Sequence, residues 1–217
     1  MARVKTAIFI SGGGSNMAAL IAAAQSSNYP AEIVLVVSND PNAGGLEKAQ
    51  KAGIKTCVID HRAYIDRETF DTALTEAAEA EGCEIICLAG FMRLLTSNFI
   101  ARWHDKLVNI HPALLPSFKG LNTHERALAT GVRFHGCTVH LVRPEMDTGP
   151  ILIQAAVPVL TNDTAATLAA RVLKQEHIIF PKALEWLAAG QVRVNENGLA
   201  HIDGATGLET GVVNPKA

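Results

Sequence analysis

The sequence predicts an α/β protein: a doubly wound, mostly parallel sheet with antiparallel strands at its C-terminal side. Short apolar runs alternate with helix-forming stretches from the first residues, and most of those runs are apolar on both faces. After residue 134 the alternation gives way to two longer strands joined by a turn rich in Pro and Gly. Ala7-Ile-Phe-Ile10 is a strand stopped by Ser11-Gly-Gly-Gly14, Ser15 to Gln25 carries helix formers, and Ile33 to Val37 is a β-branched run ended by Ser38-Asn-Asp-Pro41. The three make a βαβ unit. A helix from Gly44 to Lys51, a strand from Thr56 to Ile59, a helix from Arg67 to Glu81 and a strand from Glu84 to Ala89 repeat the pattern. A helix near Ser97 to Trp103 and the strand Leu107 to Ile110 follow. The next segment, His111-Pro-Ala-Leu-Leu-Pro-Ser-Phe-Lys-Gly120, is a loop, because its prolines keep it out of helix. Phe134 to Val142 and Ile151 to Leu160 read as strands around the turn Arg143 to Pro150. A long helix runs from about Thr164, with a bend expected at Pro181, and Gln191 to Ile202 forms a hairpin around Asn197-Gly198.

Composition narrows the function classes. The 217 residues are 48% apolar and carry 19 Lys+Arg against 21 Asp+Glu, a formal net charge of −2. That balance argues against disorder and against a nucleic-acid binder, which would show a basic excess. A chain this long buries roughly 70% of its unfolded surface, which fits one domain over residues 1–203, followed by a mobile tail over 204–217. No run approaches the ~20 apolar residues of a membrane span, and the N-terminus enters its first strand without a signal-peptide pattern, so a soluble, cytoplasmic protein is expected. Cys57, Cys83, Cys87 and Cys137 show no Cys-x-x-Cys or zinc spacing and read as packing residues.

Two places carry chemistry. Ser11 to Asn16 lies between the first strand and the first helix, where exposed N–H groups and the helix dipole favour a phosphate. The dinucleotide fingerprint fails there, because position 17 is Met17 rather than Gly, so a monophosphate site is expected, with Ser15 and Asn16 adding side-chain donors. Asp40 sits near where a ribose-binding acid would fall, and Asn-Asp-Pro is equally ordinary turn chemistry. The second place is Asn109-Ile-His111-Pro112, at the C-terminal end of an interior strand. Alternation puts Asn109 and His111 on one face, where an amide donor and an imidazole can hold the oxyanion of an addition intermediate. Thr138 and His140 likewise share a face, whereas His135 and His140 point apart and do not make a metal pair. Asp147, in its Gly/Pro-bounded turn, can approach His111 and favour the imidazolium form. Glu176 lies beside an apolar helical stripe of Leu168, Val172 and Ile179, a position that ordinarily faces water.

These residues resemble the folate-dependent formyltransferases. The motifs in order are Ser-Gly-x-Gly-Ser-Asn at 11–16, Leu88-Ala-Gly-Phe-Met-Arg93, Asn109-Ile-His-Pro112 with Leu114-Leu-Pro116, His135-Gly-x-Thr-Val-His140, Asp147-x-Gly-Pro150 and Gln175-Glu-His177. The resemblance covers nearly the whole chain and implies a Rossmann-like formyltransferase fold. It further implies transfer of a formyl group from 10-formyltetrahydrofolate, as cosubstrate, to the amine of phosphoribosylglycinamide in purine biosynthesis, with no metal. It implies Asn109, His111 and Asp147 as the catalytic trio, with Thr138 and His140 in support. Gly14, Ser15 and Asn16 match the loop for the substrate phosphate and Glu176 the ribose contact. Arg67, Met92, Arg93, Leu94, Leu95, Arg143, Pro144, Glu145 and Met146 match positions lining the folate site. Small-molecule partners only are implied, with no nucleic acid or membrane, and a monomer or homodimer. Two departures stand out: Asn122 where some members carry a second His, and Gly13 where others have Asn. The alternatives are a 10-formyltetrahydrofolate hydrolase, which usually carries an extra N-terminal domain, and a non-catalytic nucleotide-binding module, which has no need of the trio.

Overall fold

The computed structural model describes residues 2–207 and 212–215. A seven-stranded sheet has the order β3-β2-β1-β4-β5-β6-β7 and is built from β1 (Val4–Ile10), β2 (Ala31–Ser38), β3 (Lys55–Val58), β4 (Ile85–Leu88), β5 (Leu107–His111), β6 (Phe134–Leu141) and β7 (Ile151–Pro158). The first five strands pair in parallel and β6 and β7 join antiparallel, as expected. The helices are α1 (Ser15–Ala24), α2 (Gly44–Lys51), α3 (Arg67–Ala80), α4 (Ser97–Arg102), α5 (Thr123–Thr130) and α6 (Ala165–Ala188). The separate hairpin pairs β8 (Val192–Val194) with β9 (Ala200–Ile202).

Both faces of the sheet are covered, which is why its central strands are apolar throughout. Ile8, Ile10, Val108, Ile110, Val139 and Leu141 pack on the side of α1, α2, α5 and α6, while Ala7, Phe9, Leu35, Ile86 and Leu107 pack on the side of α3 and α4. In β2 the parity changes: Ile33 and Val36 share a side because Val34 is an extra residue where the β1–β2 register shifts. The long helix opens with a capping box between Thr164 and Thr167. It continues through Pro181 without a break, and the Pro181 carbonyl accepts a bond of 2.6 Å from the Tyr29 hydroxyl.

Helix α5 is an addition to the elements expected from sequence. It follows directly on the Pro-rich loop, and its N-cap, Asn122, holds φ 55° and makes no side-chain cap bond. Part of the tail expected over 204–217 lies outside the described residues; within it, the Asn214 side-chain amide donates to the Arg133 carbonyl at 2.6 Å. Among the described residues no helix is long and apolar enough to cross a membrane.

After β6 the chain turns through residues 142–150 and closes on itself, with the Leu141 N–H donating to Pro150 O at 2.9 Å. A Cβ at Gly149 would stand 1.7 Å from Leu141 O, so only glycine lets the turn return this closely. Gly149→Ala is expected to lower stability by about 2 kcal/mol or more, in the range of overpacked sites, and to displace Asp147. Urea denaturation read beside the circular dichroism of the folded protein checks this; an unchanged midpoint would show that the turn adapts.

Candidate active site

The site rests on the ladder between β5 and β6. Antiparallel pairing sets Asn109 opposite His140 and His111 opposite Thr138, while Val108, Ile110, Val139 and Leu141 point into the core on the other side. Four polar side chains therefore form one patch on a single face. Asn109 Nδ2 lies 3.2 Å from His140 Nε2, and His140 Nδ1 lies 3.1 Å from Leu141 O. The carbonyl fixes the ring proton on Nδ1, so Nε2 accepts from Asn109 and His140 is neutral. Burial pushes the His140 imidazole below its ordinary value, in keeping with that form.

His111 is buried at 5% exposure, and both its ring nitrogens face oxygen acceptors. Nε2 is 3.0 Å from Phe118 O and Nδ1 is 3.5 Å from Asp147 Oδ2, so the ring stands between a carbonyl and a carboxylate. Asp147 holds φ 55° and stands over the patch, with Oδ1 3.8 Å from His140 Nε2 and Oδ2 accepting from Gly120 N–H at 2.9 Å. Thr138 is fully engaged in anchoring the loop after His111. Its hydroxyl donates to Ala113 O at 2.6 Å and accepts from Leu115 N–H at 3.0 Å and from Gln154 Nε2 at 3.0 Å. A cavity of about 140 Å³, lined by Leu115, Pro116, Lys119, Asp147 and Gly149 among others, opens beside the carboxylate.

A second cluster surrounds the loop at the start of α1. Gly14 has φ +68°, and a Cβ there would meet Gly45 Cα at 2.9 Å, so the N-termini of α1 and α2 approach each other at this point. Lys48 Nζ donates to Gly13 O at 2.7 Å, adding a cation to two positive helix ends. Asn16 donates from Nδ2 to Glu176 Oε2 at 2.6 Å, so its amide is engaged with α6 and not only offered to the loop. Glu176 is 7% exposed, against the expectation that its helical position faces water, and burial pushes its carboxyl up. Asp40 caps its own turn through a 3.0 Å bond from Asn42 N–H, the ordinary turn chemistry of that residue. The Ser11 hydroxyl accepts from Met92 N–H at 2.7 Å and so ties the loop after β4 to this cluster.

The residues matched to a folate site are more dispersed. Met92, Arg93 and Leu94 are exposed after β4 with Leu95 half-buried, and Pro144, Glu145 and Met146 are exposed in the turn before Asp147. Arg143 is paired with Asp105. Arg67, exposed at the start of α3, forms no hydrogen bond or ion pair with any of the others among the described residues. Among those residues, too, no three His, Cys, Asp or Glu side chains come together as a metal would require.

Fold and site together define a formyl transferase. The chain belongs to the formyl transferase family, which matches residues 4–184. Within it the chain belongs with the phosphoribosylglycinamide formyltransferases: it is 41% identical over 197 residues to that of Escherichia coli K12, covering 91% of this chain and 92% of the relative. The solved phosphoribosylglycinamide formyltransferase of Brucella melitensis is 55% identical, with a TM-score of 0.83, 88% of this chain covered and 98% of that one. The trifunctional purine biosynthetic protein adenosine-3 of Bos taurus is 50% identical over 196 residues, which are 90% of this chain. The chain spans about a fifth of that relative's length (19%).

One pair in this region carries no signal in the sequence. His135 Nε2 lies 3.2 Å from His124 Nδ1 on α5, on the opposite face of β6 from His140, with the Phe118 ring edge-on to His135. Burial, with His124 beside it, pushes the His135 imidazole down to about 4. The unfolded chain, with an ordinary value near ~6.5, binds the extra proton first, so folding stability falls as pH drops from about 6.5 to about 4, by roughly 3 kcal/mol in all. In His135→Gln the loss of urea midpoint between pH 7 and pH 5 is expected to shrink; an equal loss in both proteins would place the acid sensitivity elsewhere.

Proposed function

We propose that residues 1–203 act as one catalytic unit that transfers the formyl group of 10-formyltetrahydrofolate to the amine of phosphoribosylglycinamide. The N-terminal half holds the acceptor's phosphate and the C-terminal half holds the folate and the reacting groups. The observation that carries this reading is the convergence of Asn109, His111 and Asp147 on one face, with His140 accepting from Asn109.

The amine attacks the formyl carbon, and negative charge develops on the formyl oxygen. Asn109 has a second amide N–H besides the one bound to His140, and His111 Nδ1, which stands 3.5 Å from Asp147 and not in a close bond, turns to supply the other donor to the oxyanion. Asp147 lies beside His111, with its Oδ2 3.5 Å from the ring Nδ1. The proton lost by the amine then travels to the leaving folate nitrogen, through water or the Asp147–His111 pair. An amine is a competent nucleophile, so most of the acceleration comes from positioning and charge stabilisation. Gly14, Ser15 and Asn16 offer backbone N–H groups to the phosphate, with the α1 dipole behind them. Arg67, residues 92–95 and residues 143–146 line the folate. The protein is proposed to work in the cytoplasm on these small molecules.

Asn109→Ala and His111→Ala are each expected to lower kcat by about 10²-fold or more, roughly 2.7 kcal/mol, with little change in substrate KM. Absorbance of 10-formyltetrahydrofolate, followed with and without phosphoribosylglycinamide, reads both the reaction and its defect. Formyl loss only when the acceptor is present is the expected result. Loss without it would make the protein a hydrolase, and near-normal turnover in either variant would overturn the oxyanion assignment.

A further inference from the structure

Three strand ends meet at one hydroxyl. Ser11 follows β1, Asn39 follows β2 and Met92 lies just past β4, and β1 stands between the other two strands in the sheet. The Ser11 hydroxyl accepts from Met92 N–H at 2.7 Å and gives its single proton to Asn39 Oδ1, while the Ser11 N–H donates to Gly90 O at 3.2 Å. Asn39 is 4% exposed, and its other amide atom, Nδ2, lies 3.2 Å from His61 Nδ1, so both ends of the amide are occupied.

Past Met92 the backbone is released. The N–H groups of Arg93, Leu94 and Leu95 have no hydrogen-bond partner in the protein among the described residues, and the Met92 and Leu94 side chains are exposed. Bonding resumes at Thr96, whose N–H donates at 2.6 Å to Oδ2 of Asp71, a buried residue of α3. Two side-chain oxygens therefore hold the ends of this segment, one from the glycine-rich loop and one from α3. Phe91, packed against Phe9 and Phe70 just before the first anchor, secures the chain there by its ring and leaves the Met92 peptide plane to Ser11.

On the functional reading above, in which residues 92–95 line the folate, we infer that Ser11 and Asp71 are positioning residues for the folate side: each fixes one end of the segment before the ligand arrives. Ser11 opens the phosphate motif in sequence, yet its side chain works on the other substrate. A segment held at both ends loses less freedom when a ligand orders it, so loss of either anchor weakens folate binding. The phosphate side keeps its own support, because Gly14 O still accepts from Ala18 N–H at 3.0 Å in the first turn of α1.

Hydrogen exchange over residues 90–97 of the unliganded whole protein, read beside the KM of each substrate, tests this. Ser11→Ala and Asp71→Ala are each expected to speed exchange in that segment. Each should also raise the KM for 10-formyltetrahydrofolate about 5-fold, the range of one lost hydrogen bond, with the KM for phosphoribosylglycinamide changed by less than about 2-fold. Ser11→Thr and Asp71→Asn keep an oxygen acceptor and should stay within about 2-fold of the unaltered protein in both readouts. If one alanine variant does not fold, the other supplies the comparison, since the two anchors lie on different elements. Equal rises in both KM values, a rise confined to the acceptor, or unchanged exchange in the alanine variants would overturn the inference. Titration calorimetry with tetrahydrofolate tells the two readings apart: weaker binding by the alanine variants, with no formyl transfer by the unaltered protein, sinks the reaction alone, and transfer with equal KM changes sinks this inference alone.

Discussion

Everything at the candidate site depends on the antiparallel seating of β6 on β5. The antiparallel register sets Asn109 against His140 and His111 against Thr138, and one residue of slip in β6 would send His140 and Thr138 into the apolar core beside α6. The core positions Val108, Ile110, Val139 and Leu141 thus fix the register by their own burial. The chemistry is held in place by the residues that take no part in it.

Two imidazoles a short distance apart on that face meet different neighbours. His140 meets a donor and a carbonyl, with burial against its charged form, whereas His111 meets two oxygens, one of them a carboxylate. Asp147 lies 3.5 Å from one ring and 3.8 Å from the other, so it is the closer bond pattern, and not distance to the acid, that separates them. The neutral His140 ring orients the Asn109 carboxamide.

The sheet, its parallel-to-antiparallel change and the pairing of Asn109 with His111 on one face were legible because all follow from local period and turn chemistry. Alternation alone also separates His135 from His140. What the sequence does not carry are contacts made by chain return. Helix α5 is only two turns long and directly follows the Pro-rich loop, and the His124–His135 pair depends on that helix. By periodicity Glu176 belongs with solvated helix positions; only the resemblance to formyltransferases singles it out, and its bond to Asn16 spans most of the chain. The extra residue Val34 in β2 is invisible in a run where every neighbour is apolar.

The glycine-rich loop is divided into two unlike parts. Gly14 and Gly45 are pressed together, whereas a side chain built on Gly12 or Gly13 would meet nothing within 4 Å. Side chains therefore have room on the outer rim and none where the two helices meet. For protein engineering the same division is a guide: a reporter group or an added hydrogen-bonding side chain can be grafted at 13, with the inner pair left as it is.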